Sequence, residues 1–148
     1  MLADLLRRLA GRPENDSLLP PADQRTAVAA LLVIAAHADQ NYADVERTQI
    51  DRVLADRYAL DPETAAKLRA EGEAAEDASV DLYRFTSLIK AGIPYEERAS
   101  VIEAMWRVVL ADAERDQHEE ALMRRVTDLL GLDPRDSVDA RRRAQASL

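Results

Sequence analysis

The chain reads as all-α, a single-domain bundle of about seven helices containing an internal duplication around two buried central helices, and three observations predict it. Apolar residues recur at three- and four-residue spacing in one segment after another, and no stretch sustains the two-residue alternation of a half-buried strand. Glycines number only 4 and aromatic residues make up 4% of the chain, too few for the turns and packed faces of a sheet protein. A helix-turn-helix pattern also occurs twice. Ala38-Asp39 matches Ala111-Asp112, and each Asp closes an apolar run and precedes a Glu by seven residues, Glu46 and Glu119. The register holds on both sides, with Val28 opposite Val101, Ala29 opposite Ile102, Ile50 opposite Met123 and Val53 opposite Val126.

Taken in order, Leu2, Leu5, Leu6 and Leu9 predict a short amphipathic helix over Met1 to Ala10, ended by Gly11 and Pro13. Arg12 to Ala22 gathers Pro, Asn, Asp and Ser and reads as a linker. Residues 1–22 thus form an N-terminal helix and loop, residues 23–132 the duplicated helical domain, and residues 133–148 a C-terminal helix and tail. Asp23 to Ala38 and Arg98 to Ala111 are apolar almost all round and predict the two central helices. Each is followed by a polar turn and an amphipathic helix. Val45 to Tyr58 turns Ile50, Val53 and Leu54 inward, and Gln117 to Leu130 turns Leu122, Val126, Leu129 and Leu130 inward. Leu60-Asp61-Pro62 and Leu132-Asp133-Pro134 each supply an N-cap Asp with Pro at the first helical position, opening a third helix per unit. Between the units, Val80 to Lys90 carries Leu82, Phe85 and Ile89 on one face and ends at Gly92, and Pro94 opens the second unit. The Arg- and Ala-rich stretch from Asp139 onward is expected to fray as a solvated helix.

A length of 148 residues is enough to bury a core without staples. With no cysteine there is no disulfide, thiolate nucleophile or zinc-thiolate site, so a bound metal would be held by oxygen or imidazole. The net charge of −8 repels phosphates, which argues against nucleic acid as a partner. The basic groups Arg7-Arg8, Arg124-Arg125 and Arg141-Arg142-Arg143 read as solvated faces or dipole complements, with a polyanion or lipid headgroup as the alternative contact. The longest apolar run, Ala27 to Ala36, falls short of the ~20 residues of a membrane span. No signal segment is recognised at the N-terminus, and the cytoplasm is the expected address.

The acidic turns carry the functional signal. The first reads Asp39-Gln40-Asn41-Tyr42-Ala43-Asp44-Val45-Glu46, and the second holds Asp112, Glu114, Asp116, Glu119 and Glu120. Hard cations such as calcium or magnesium take six or more oxygens, and closely spaced carboxylates on a turn between helices supply them. An EF-hand is excluded: the sixth position, where Gly is needed, holds Asp44 or Gln117, and the twelfth, where Glu is needed, holds Ile50 or Met123. The alternative is that these acids are caps, since Asp116 and Glu119 have capping-box spacing and acids in a first turn complement the helix dipole. Asp39 and Asp112 stand instead at the C-terminal ends of apolar helices, where the dipole disfavours them and a turn N–H, an Arg or a cation must compensate. His37 and His118 suggest a mixed zinc or iron site, but His37 falls opposite Leu110 and His118 opposite Val45, so neither belongs to the shared pattern. No phosphate loop, nucleophile elbow or His-Glu-x-x-His segment is present, which disfavours an enzyme. Trp106, Met105 and Phe85 fall on buried helical faces and read as core.

The doubled apolar helix, its terminal Ala-Asp, the Glu seven residues later and the Ile or Met four beyond that resemble the TerB family of tellurite-resistance protein B domains, related to the N-terminal part of DjlA co-chaperones; the resemblance spans Asp23 to Leu132. It implies an all-helical, internally duplicated fold and a noncatalytic stress-response role as a protein-interaction or divalent-metal-binding module, linked to tellurite resistance and to assemblies near membranes. The positions carried over as metal ligands are Asp39, Glu46, Asp112 and Glu119; Gln40 and Ala113 stand where the family often has Gly. The expected ligand is a divalent cation and the expected partner a protein, with peripheral membrane association and homo-oligomers also open. Two other readings remain: a structural helical adaptor or homodimer without metal, and an acid/base hydrolase using the acidic turns.

Overall fold

The computed structural model describes residues 21–38, 42–78, 81–111 and 117–148, and the expected helix over Met1 to Ala10 lies outside them. Among the described residues there are seven helices and no strand. They are α1 (Pro21–His37), α2 (Asp44–Tyr58), α3 (Pro62–Ala78), α4 (Leu82–Gly92), α5 (Tyr95–Ala111), α6 (Gln117–Leu129) and α7 (Pro134–Ala146).

Local chemistry sets the helix ends. The Asp61 carboxylate accepts from the Thr64 N–H at 2.7 Å at the start of α3, and Asp81 accepts from the Tyr83 N–H at 3.0 Å at the start of α4. Asp133 accepts from the Arg135 N–H at 2.8 Å, while Asp136 reaches back to the Asp133 N–H at 3.0 Å, a full capping box ahead of Pro134. These two Asp-Pro starts are the ones the sequence predicts. After α6 the chain turns through Gly131 at φ 74°, a left-handed conformation that costs glycine little, and the Leu132 N–H returns to the Thr127 carbonyl at 3.0 Å. Arg98, on α5, ties three chain segments together: it donates to the carbonyls of Ile93 at 3.0 Å, Lys90 at 3.3 Å and Leu130 at 3.3 Å, taking up groups left open near the ends of α4 and α6.

α1 is the central post. It packs against α2, α3, α4 and α5, and Ala27 through Val33 are fully buried without a break, as a helix apolar on all sides requires. Its closest neighbour is α3, where Gly72 lies directly against the backbone of Ala29 and Ala30. α5 is the second post, burying Val101, Ile102, Ala104, Met105, Trp106, Val108 and Val109 and touching α1, α2, α4, α6 and α7. All eight register residues, Val28, Ala29, Ile50 and Val53 with Val101, Ile102, Met123 and Val126, are core residues. The two helix triplets share one order and one pairing, the third helix of each lying chiefly against the first.

Two expectations are corrected. The C-terminal stretch does not fray: α7 continues to Ala146, with Ala140 and Ala144 fully buried against α5, because small side chains at four-residue spacing let the helices approach closely while Arg142 and Arg143 point to solvent. Arg143 also pairs with Glu103 of α5 at 2.7 Å. On α6, Leu122 and Leu129 are only partly covered, and the buried face is turned to Met123, Val126, Thr127 and Leu130. The Thr127 hydroxyl is accommodated there by donating to the Met123 carbonyl at 2.7 Å.

Candidate functional site

Of the four acids predicted as ligands, Asp39 and Asp112 lie outside the described residues. Glu46 and Glu119 each fall in the first turn of the second helix of their triplet. Glu46 behaves as a cap: its Oε1 accepts from the Ala43 N–H at 2.7 Å, leaving the other carboxylate oxygen available. Glu119 is buried, at 2% exposure. No three His, Asp or Glu side chains converge among the described residues.

Next to the first acidic turn lies a polar network contributed by three helices. The Tyr42 hydroxyl donates to Glu73 Oε2 at 2.5 Å. Arg69 bridges two carboxylates, Glu73 at 3.0 Å on its own helix and Asp51 at 2.6 Å on α2. Arg47 stacks on the Tyr42 ring at 4.5 Å and approaches Glu73 at 3.7 Å. His37, the last residue of α1, meets the other side of this group, its ring edge-on to Tyr42 at 4.3 Å and its Nδ1 3.6 Å from Glu76. The network therefore fixes the end of α1 and the start of α2 against α3.

Its electrostatics favour the charged forms of the ion pairs. Burial opposes the Glu73 charge, but hydrogen bonds from Tyr42 and Arg69 and the nearby guanidiniums outweigh it and hold the carboxyl below its usual range. Burial, reinforced by Glu73, pushes the Tyr42 hydroxyl well above its ordinary value. Burial also opposes the Arg69 charge, yet its bonds to Asp51 and Glu73 prevail and keep it protonated. Because the folded Glu73 titrates below its unfolded value of about 4.5, its stabilisation is present above that value and is lost as pH falls through the folded one. Urea unfolding of Glu73→Gln from pH 7 down to 3 is expected to show lower stability at neutral pH and a shallower acid limb than the wild type; parallel curves would refute this coupling.

A concave feature opens between α6 and α7, with Trp106 of α5 among its lining residues. This cleft, of about 290 Å³, is lined by Met123, Leu132, Arg124 and Arg141 among others. The indole N–H of Trp106 donates to Ser137 Oγ at 3.1 Å, and the Arg141 guanidinium lies over the indole at 5.4 Å.

The sequence does not single out Tyr42, Asp51, Arg69, Glu73 or Glu76. Their spacing follows no motif, because the network joins residues of three helices that only the packing of α1, α2 and α3 brings together. The charge-rich run Glu71-Gly72-Glu73 on α3 is the one local hint, and Gly72 marks where α3 comes closest to α1. Comparison with known proteins finds a family model, described as tellurite resistance protein TerB, that matches residues 25–142. No curated protein and no solved structure matches the chain.

Proposed function

The chain belongs to the TerB family, and from that premise we propose that it is a noncatalytic helical module whose paired acidic turns take up a divalent cation and present a surface to a protein partner. The proposed ligands are Asp39 and Glu46 in the first triplet and Asp112 and Glu119 in the second. The observation that supports this reading most is the repeated placement of Glu46 and Glu119, one in the first turn of α2 and one in the first turn of α6, each seven residues after the Asp of an Ala-Asp pair in the sequence. An all-oxygen donor set suits calcium, magnesium or manganese better than softer metals. Tyr42, Arg69 and Glu73 then act as positioning residues, holding the first turn against α3. We further propose that the two triplets descend from one copied unit and that the protein works in the cytoplasm in a stress response that includes tellurite.

Titration calorimetry with calcium, magnesium, manganese and zinc tests the cation. The wild type is expected to give saturable heat with at least one hard cation, and the double variant Asp39→Ala/Asp112→Ala to give none. Absence of heat in the wild type removes the cation and leaves the second reading, a metal-free helical adaptor. The bond from Glu46 to the Ala43 N–H favours that reading, since it shows this acid already serving the backbone.

A further inference from the structure

The cleft between α6 and α7 lies, in helix order, where the second triplet corresponds to the contact of α2 with α3 in the first. In the register that matches Ile50 to Met123, Asp51 matches Arg124; in the register that matches Asp61-Pro62 to Asp133-Pro134, Arg69 matches Arg141. The first triplet uses these positions for the 2.6 Å ion pair between Arg69 and Asp51. The second holds arginine at both, α6 and α7 are less closely packed than α2 and α3, and a cavity takes the place of the pair. Among the described residues Arg141 meets only the Trp106 ring, and Arg124 meets no carboxylate.

We propose that this cleft binds a small organic monoanion, a carboxylate carried on an aromatic or compact apolar body, which supplies from outside the acid that Asp51 supplies within the first triplet. Arg141 and Arg124 receive the carboxylate, a match of planar guanidinium to planar acid. Trp106, Met123 and Leu132 receive the body, and the bond from the indole to Ser137 holds the ring in place. Size selects the ligand: at about 30 Å³ for each water-sized group, the cleft holds about ten non-hydrogen atoms, the scale of phenylacetate. Charge selects it further. Glu120 and Asp128, one turn to either side of Arg124, also line the cleft and disfavour a multiply charged group such as phosphate more than a single negative charge. At physiological ionic strength charges are screened over about 8 Å, so the net negative charge of the rest of the chain weighs little at the cleft, where two arginines and two carboxylates balance.

Trp106 is the only tryptophan, so its indole N–H gives a single resonance at the cleft. Titration of the full chain with phenylacetate is expected to shift that resonance saturably, while benzyl alcohol, benzylamine and inorganic phosphate at the same concentrations leave it in place. Arg141→Gln is expected to weaken phenylacetate at least about tenfold, as loss of a charged hydrogen bond does. Arg124→Asp, which restores the acid of the first triplet beside Arg141, is expected to abolish binding with helical content unchanged. No saturable shift with phenylacetate overturns the proposal. So does an equal response to the alcohol or the amine, which reduces the cleft to an apolar crevice, or an equal response to phosphate, which reduces it to a charged patch. Unaltered affinity in both variants overturns the assignment of the arginines, and the wild-type ligand panel decides the matter should either variant fail to fold.

Discussion

Replacing Phe85 by alanine is expected to remove about 3–5 kcal/mol of stability, the usual cost of deleting a fully enclosed aromatic ring. Phe85 is the only phenylalanine and has no exposed surface. It sits on α4, the helix that joins the two triplets and packs against α1, α5 and α6. The loss combines the transfer of the ring to water with the void left among neighbours too tightly held to collapse into it. Since a domain has only about 5–15 kcal/mol in hand, Phe85→Ala is expected to leave a marginal protein. Urea unfolding followed by far-ultraviolet circular dichroism gives the number directly. Phe85→Leu, which keeps most of the volume, should recover most of the loss; equal destabilisation by both substitutions would show that ring shape, and not the void, dominates.

Gly72→Ala is the second large effect, and its direction is set by a contest. Alanine in a helix interior gains about 1 kcal/mol over glycine in propensity. A Cβ at Gly72, however, would stand 2.7 Å from the carbonyl carbon and the Cβ of Ala29 and 2.9 Å from the Ala30 nitrogen. Two of those atoms are backbone of the buried central helix, which cannot swing aside as a long side chain would. α3 must move off α1 along its tightest contact, and the expected net cost is about 1–3 kcal/mol. In thermal unfolding that corresponds to a drop of about 2–4 °C per kcal/mol for a chain of this size. A variant as stable as the wild type would show that α3 slides without loss and that the close approach is incidental.

The fold was legible because its main signals are local. The apolar runs of α1 and α5, the Asp-Pro helix starts and the turn of Gly92-Ile93-Pro94 can each be read within a few residues, and each is found in place. The C-terminal helix starts at Asp133-Pro134 as expected, but its burial is hidden in the sequence because arginines dominate its composition. Its burial rests on two alanines, Ala140 and Ala144, whose small size carries no hydrophobic periodicity strong enough to notice. The polar network was missed for a related reason. The links from Asp51 to Arg69 and from Glu73 to Arg47 join separate helices, and that from Glu73 to Tyr42 joins a helix to the turn before α2, so no spacing announces them. The family was legible from Ala-Asp and the following Glu, a pattern the sequence shows twice, and the family match extends past Leu132 into α7. Of the four acids carried over as ligands, Glu46 and Glu119 stand in the first turns of α2 and α6, while Asp39 and Asp112 fall outside the described residues.

The mutual contact of the two posts has a mechanical consequence. α1 of the first triplet and α5 of the second cover one another, and α2 also leans on α5. Neither triplet can therefore shed the other without wetting a continuous apolar surface. Opening at one end of the molecule is expected to propagate to the opposite end, so that the protein melts as one cooperative unit, and a fragment cut at the junction after α4 is expected to seek a replacement for its missing half.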